Sequence, residues 1–277
     1  MHGKVLSDDQ MRAYQQDGYL ILRGFFQQEE IERLGATARR DQQLDEHQLS
    51  RADGEGGQTR LAVWNQPGDG LYGMFARCEP IVGLAAQVIG EEPYHFHSKM
   101  IMKQPQVGGA FAWHQDYGYW YHHGLLRSDT CSVMIAVDKA TKENGCLQVL
   151  RGSHHLGRID HIRSGEQAGA DPERIAALGD QLELIYCELD PGDIIVFHGN
   201  TLHRSDANRS DHPRWCMICC YNARTNSPFK ESQHSSYEPI DVVPRTAIMQ
   251  CDTDGGGAAW LEKSHAPTSD ELADSTS

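Results

Sequence analysis

Basic residues are scarce in this 277-residue chain: 25 Lys and Arg stand against 39 Asp and Glu, a formal net charge of −14. So acidic a surface repels phosphate backbones, which argues against general nucleic-acid binding. Long apolar runs are missing as well. Stretches such as Ile194–Phe197 fall far short of the roughly 20 residues that a membrane-spanning helix needs. The mean hydropathy of −0.57 is that of a water-soluble chain. Met1–Asp9 lacks the basic-then-apolar order of an export signal. No internal repeat and no linker divides the sequence, so residues 1–263 read as one domain. The polar, Ser/Thr-rich stretch 264–277 reads as a disordered tail. The expected location is the cytoplasm, with no nucleic-acid, membrane or obligate protein partner.

The eight cysteines are not spaced as a disulfide framework or a zinc site. Cys131, Cys146, Cys187, Cys216 and Cys219 lie in apolar, strand-like runs, where a free thiol packs as a small core residue. Cys216-x-x-Cys219 has no matching second pair, and residues three apart on a strand face opposite ways. We expect core thiols in a reducing compartment.

What is present falls into two textures. The first ninety or so residues favour helices: Ser7–Asp17 with a capping serine, Gln27–His47 with Ile31, Leu34 and Ala38 inward, and Cys78–Ile89 closed by Gly90. Tyr19–Phe26 reads as a short strand and Arg51–Thr59 as a Gly-rich loop. From Tyr94 the pattern turns to strands, over Tyr94–Gln104, Thr130–Asp138, Cys146–Arg151, Leu182–Leu189, Asp193–His198 and Arg214–Ala223. Asn144-Gly145 and Pro191-Gly192 mark turns between them. Helices first and evenly spaced antiparallel strands after them predict a mainly β sandwich or barrel with flanking helices. The polar insert Arg158–Asp180 is expected to close over a site as a lid.

The chain holds one His-x-Asp, His114-Gln115-Asp116. Positions two apart on a strand share a face, so both side chains can reach one metal ion. Alone the pair is more often an ordinary polar pair. His203 follows a second apolar strand, and its ordinary role would be to cap a backbone group. Two imidazoles and one carboxylate on one face of an octahedral ion leave three positions open, which suits non-heme Fe(II) binding an oxo-acid and dioxygen. Arg214 opens the next strand, and its planar fork matches the free carboxylate of such an acid. Ser205 shares the strand face of His203 and can add a hydroxyl. Each signal is weak singly; their order is not.

The blocks Ala112–Trp120, Glu143–His154 and Pro191-Gly192-Asp193 through His203-x-Ser205 to Arg214 resemble the phytanoyl-CoA dioxygenase family, which includes ectoine hydroxylase. The resemblance runs from about Ser7 to Ala223. It implies a double-stranded β-helix, or jelly-roll, fold. It also implies Fe(II), 2-oxoglutarate and O2, ascorbate as an auxiliary reductant, and hydroxylation with release of succinate and CO2. By matching position, His114, Asp116 and His203 would hold iron, Arg214 and Ser205 the distal carboxylate of 2-oxoglutarate, and His97 a further polar contact to that cosubstrate. Halogenating relatives lack the carboxylate; Asp116 is present, so hydroxylation, desaturation or ring closure is implied instead.

The aromatic run Trp113, Tyr117, Tyr119, Trp120 and Tyr121 suits a cationic group. Lys99 and Lys103 share a strand face with His97 and can meet an anion, although a lysine is more often a solvated rim residue. We therefore expect a small zwitterionic substrate, like an amino acid, ectoine or aminophosphonate, touched by Lys99, Lys103, Tyr117 and Trp120. The competing readings are a hydroxylase of an apolar or acyl-thioester substrate, and a cupin-like metal-binding isomerase or sensor without oxygen chemistry.

Overall fold

The computed structural model describes residues 4–53, 56–164 and 167–261; the tail expected at 264–277 lies outside the described residues. Ser7 and Gln10 exchange capping bonds at the start of α1 (Asp8–Asp17), and Gly18, at φ 80°, closes it. Strand β1 (Tyr19–Leu22) follows. Where the spacing predicts one helix over Gln27–His47, the chain divides into α2 (Gln28–Arg40) and α3 (Gln42–Glu46). Asp41 causes the break: its backbone is extended, and its carboxylate accepts from the N–H groups of Gln43 and Leu44, which starts a new helix.

The stretch Arg51–Thr59 is not simply a loop. Its ends belong to a hairpin of β2 (Leu49–Ala52) and β3 (Gln58–Gln66), with Arg51 opposite Thr59. The Asp53 carboxylate accepts from Gly57 N–H and again from Ala110 N–H, so the turn is tied to a neighbouring segment that local composition does not reveal. Two helices follow, α4 (Leu71–Arg77), buried throughout, and α5 (Glu79–Ile89), closed by Gly90 as expected.

From there the strands come in the predicted order, with the insert and several short elements added. They are β4 (Pro93–Lys103), β5 (Phe111–His114), the short helix α6 (Asp116–Trp120), β6 (Thr130–Ala136) and β7 (Leu147–Leu150). Next come β8 (His161–Ser164), β9 (Gln167–Ala170), α7 (Pro172–Leu178), β10 (Leu184–Cys187), β11 (Ile194–His198) and β12 (His203–Ser205). The chain continues through β13 (Arg214–Ala223), α8 (Ala247–Gln250) and β14 (Ala258–Trp260).

Among the described residues the strands form a large sheet, β1-β11-β6-β13-β4-β3-β14 with β2 on β3, and a smaller one, β10-β7-β12-β5. All pairings within them are antiparallel. Alternation sends Cys216, Ile218 and Cys220 into the space between the sheets, with Phe96, Ile101, Val149 and Phe197. Met217, Cys219 and Tyr221 go to the outer face, where Leu34, Phe75 and Leu84 of the helices cover them. Cys216 and Cys219 thus lie in different cores, as strand parity requires. This is the double-stranded β-helix with flanking helices expected from the sequence.

The insert packs beside the His-x-Asp motif. Hairpin β8–β9 lies against the strand of the His-x-Asp motif: His161 is buried, and its Nε2 accepts the N–H of Gln115 at 3.0 Å. A Cβ at Gly118 would stand 1.8 Å from the His161 ring, so only glycine permits this approach.

Candidate metal centre

His114 ends β5 and stands directly opposite His203, the first residue of β12. Their ring centroids are 4.0 Å apart. Gln115 stays extended for one more residue, so Asp116 returns to the face of His114 before opening α6. Beyond that the chain is helical and strand alternation no longer applies. Gln115 points the other way and fixes the turn: its amide donates to Gly157 O and Asn200 O and accepts from Ile159 N–H.

One ligand atom from each of His114, Asp116 and His203 lies within 4.8 Å of the others. The hydrogen bonds decide which atoms these are. Nδ1 of His114 donates to Ala112 O at 2.8 Å, and Nδ1 of His203 donates to Thr201 O at 2.9 Å. A carbonyl can only accept, so each neutral ring is left with a bare Nε2 facing the cluster. Asp116 Oδ1 is 3.9 Å from His203 Nε2. Its Oδ2 accepts from Ser132 Oγ at 2.5 Å. Burial lowers the proton affinity of both imidazoles, which keeps them in the metal-binding form. For Asp116 burial works against ionisation, but Lys99 (3.5 Å from Oδ1) and the two imidazoles outweigh it and hold the carboxyl below its ordinary range. Two imidazole nitrogens and one carboxylate oxygen, with no thiolate in the set, fit Fe(II) with positions to spare.

A second group lies further along the same barrel interior. Arg214 opens β13 directly opposite Lys103, the last residue of β4. Lys103 is 0% exposed, and its ammonium donates to Ser205 Oγ at 2.9 Å and to Asp206 O. Arg214, 3% exposed, donates to Gly145 O at 2.7 Å, and its Nε has no partner. Burial, and then the charge of Arg214, lower the Lys103 pKa well below the ordinary lysine value. Two buried cations and a hydroxyl make a receptacle for a carboxylate.

Other sequence-predicted residues fall elsewhere. Lys103 is buried, not at the rim, and stands opposite Arg214. Lys99 stands at the Asp116 carboxylate. His97 is six residues back along β4, roughly 20 Å at strand spacing, and packs against Trp120 and His234, not beside Arg214 and Ser205. Tyr117 is a core residue whose hydroxyl bonds to Leu125 O. Trp120 is buried beside His97. Two faces of the aromatic run are taken: Arg204 covers Trp113 and Arg158 covers Tyr121. Sequence reasoning missed Ser132, His161 and His234. A lone serine facing inward from an apolar strand could have flagged Ser132; nothing local flags His234.

Comparison with known proteins matches residues 14–216 to the family described as phytanoyl-CoA dioxygenase (PhyH). Over 176 residues, 58% of this chain and 66% of that enzyme, the sequence is 32% identical to L-proline trans-4-hydroxylase of Streptomyces griseoviridis. Over 261 residues, 88% of this chain and 84% of the relative, it is 28% identical to ectoine dioxygenase of Bordetella bronchiseptica. The crystal structure of EctD from S. alaskensis with 2-oxoglutarate and 5-hydroxyectoine superposes with a TM-score of 0.72, covering 88% of this chain and 90% of that one at 22% identity. At that identity the likeness bears on fold alone.

Proposed function

The chain belongs to the phytanoyl-CoA dioxygenase family and is an Fe(II)- and 2-oxoglutarate-dependent dioxygenase; we propose that it hydroxylates a C–H bond of a small polar metabolite, with His114, Asp116 and His203 as its iron ligands. The observation that carries the assignment is the pair of bare Nε2 atoms facing the Asp116 carboxylate, each fixed by a carbonyl behind it. When bound, iron and 2-oxoglutarate divide dioxygen between two products, one oxygen entering the substrate as hydroxyl and the other entering succinate as CO2 leaves.

The residues around that centre do the rest. Ser132 holds one oxygen of Asp116 and leaves the other to the metal. Arg214, Lys103 and Ser205 take the distal carboxylate of 2-oxoglutarate, which gives the unpartnered Arg214 Nε a charge-assisted acceptor. Phe197, 4.8 Å from the His203 ring, and the buried Trp120 shield the site from water. The relatives named for proline and ectoine support an amino-acid-like or zwitterionic substrate. A reducing cytoplasmic setting goes with this reading: seven cysteines are buried free thiols and the eighth is half-buried. No described helix is long and apolar enough to cross a membrane.

The test is anaerobic addition of Fe(II) and 2-oxoglutarate, followed by oxygen. We expect one iron per chain, a visible charge-transfer band that needs both additions, and succinate on admitting oxygen. A His203→Ala protein that keeps stoichiometric iron and the band would contradict the ligand assignment.

A further inference from the structure

Among the described residues, β5 is the outermost strand of the smaller sheet; it carries His114 and leads directly to Asp116. One side of β5 pairs with β12, where His114 stands opposite His203. Backbone groups on the other side of an edge strand need partners from outside the ladder. Here the insert comes up against that side. His161, the first residue of β8, accepts the Gln115 N–H on its Nε2 at 3.0 Å. Gly169 of β9 approaches so closely that a Cβ there would stand 2.8 Å from Trp113 O. The Tyr119 hydroxyl donates to Ala168 O at 2.5 Å, and its ring lies 5.6 Å from that of His114 and 4.7 Å from that of His161. The insert therefore covers the sheet edge that presents the first two metal ligands.

The His161 ring is set to accept. Its Nδ1 lies 3.0 Å from Ile159 O, which can only accept, so Nδ1 carries the proton and Nε2 the lone pair. The ring is buried, and burial pushes its pKa down to about 4, so it stays neutral. A lone pair spent on an amide is not offered to a metal, which keeps this imidazole out of the ligand set. The Gln115 side chain extends the hold. Its amide donates to Gly157 O at 2.8 Å and Asn200 O at 2.7 Å, and its carbonyl accepts from Ile159 N–H at 2.7 Å. Asn200 lies three residues before His203. Residue 115 thus joins the insert to both pieces of chain that carry ligands.

Resting on the ligand assignment above, we propose that His161 is a positioning residue of the metal centre, which fixes the amide between His114 and Asp116 and so holds imidazole and carboxylate in ligating register. The peptide joining His114 to Gln115 is the hinge between the two ligands, and rotating it swings the Asp116 carboxylate away from the His114 ring. The hydrogen bond to His161 stops that rotation. Gly118 leaves the hollow the ring needs, since a Cβ there would stand 1.8 Å from it. Metal affinity is thereby set in part by the insert, although no insert residue touches the metal.

The experiment titrates the full chain with Co(II), which takes the same nitrogen and oxygen donors as Fe(II), and reads its visible absorption. His161→Leu should weaken Co(II) binding by about 10- to 100-fold, as loss of a group behind a metal ligand does, and should alter the absorption bands. His161→Gln should recover most of the affinity, because its side-chain carbonyl can accept the same N–H. If His161→Leu fails to fold, His161→Phe keeps a ring in the Gly118 hollow without an acceptor and should show the same loss. Melting temperatures with and without Co(II) separate positioning from general stability: a purely structural role lowers both equally, whereas positioning shrinks the gain that the metal brings. Hydrogen exchange at the Gln115 amide, followed by NMR in metal-free protein, should be slow in the parent and in His161→Gln and fast in His161→Leu. Equal Co(II) affinity in His161→Leu and parent, or an equal loss of melting temperature with and without metal, would overturn the proposal. A parent that binds no Co(II) would contradict the ligand assignment, while Gln115 exchange would still decide whether His161 fixes the motif: exchange unchanged in His161→Leu would overturn that role.

Discussion

Lys103 and His97 share one face of one strand, on either side of the Lys99 that touches Asp116, and the two ends are built differently. At the Lys103 end the groups come from three strands: Lys103 faces Arg214 across the ladder, and Ser205 lies on β12 two residues after His203, past a register shift against β5. The donors there are the Arg214 guanidinium and the Lys103 amine, whose proton affinity burial lowers, each at most 3% exposed. At the His97 end the groups are imidazoles aimed by a bulge in β4, where Phe96 has no partner on β13, and closed by His234 from an irregular segment, where His123 and His234 are partly exposed. A fixed end suits a cosubstrate that never changes. An end assembled from a bulge and a loop can be altered without disturbing the metal or the ladder, which is what a family with many substrates requires.

The comparison can be broken by single substitutions. The largest effect is expected from Arg214→Ala, which removes a charge-assisted partner in a buried site: 2-oxoglutarate affinity should fall by about 2–4 kcal/mol, roughly 30- to 1,000-fold. Iron affinity, measured separately by anaerobic titration, should change little. Equal 2-oxoglutarate affinity in variant and parent would mean that the cationic end has another role. Ser132→Ala should come next. It frees one oxygen of Asp116 and should weaken iron binding by about 10- to 100-fold, with partial recovery in Ser132→Thr; 2-oxoglutarate contacts at Arg214 should be unaffected. The smallest effect is expected at the other end. Asn65→Ala loosens His234, whose Nδ1 lies 3.3 Å from Asn65 Oδ1, and by losing one neutral hydrogen bond, about 1 kcal/mol, should raise substrate KM roughly fivefold while the 2-oxoglutarate affinity stays within twofold. A fall in 2-oxoglutarate affinity as large as that in KM would show that the two ends are not independent.

Legibility in the sequence follows the same division. The order His114, Asp116, His203, Ser205 and Arg214 could be read because each sits on or just after a strand whose alternation is plain, and spacing along a strand fixes a face. The strands of the barrel were legible for the same reason. The sequence makes Lys103 a rim or substrate lysine because nothing within its own strand reveals a second cation opposite; burial beside Arg214 is a fact of register across the sheet. His97 was assigned to the cosubstrate on an aligned position, whereas a one-residue bulge, invisible to periodicity, and a ring from residue 234 decide its surroundings. Aromatic residues near the motif suggested a site for an ammonium group. Arg158 and Arg204, distant in sequence, occupy two of those faces. The split of the second helix was carried by one residue, Asp41, which serves as a cap as readily as a helix surface position.

The most direct test of the account is a crystal structure of the protein grown without oxygen with Fe(II) and 2-oxoglutarate, with the metal located by anomalous scattering at the iron edge. The expected result is one iron bounded by Nε2 of His114, Nε2 of His203 and a carboxylate oxygen of Asp116, with the distal carboxylate of 2-oxoglutarate on Arg214, Lys103 and Ser205. The His97 end should stay free of the cosubstrate. Iron on any other residues, or 2-oxoglutarate seated against His97 and His234 with Arg214 unpaired, would contradict it.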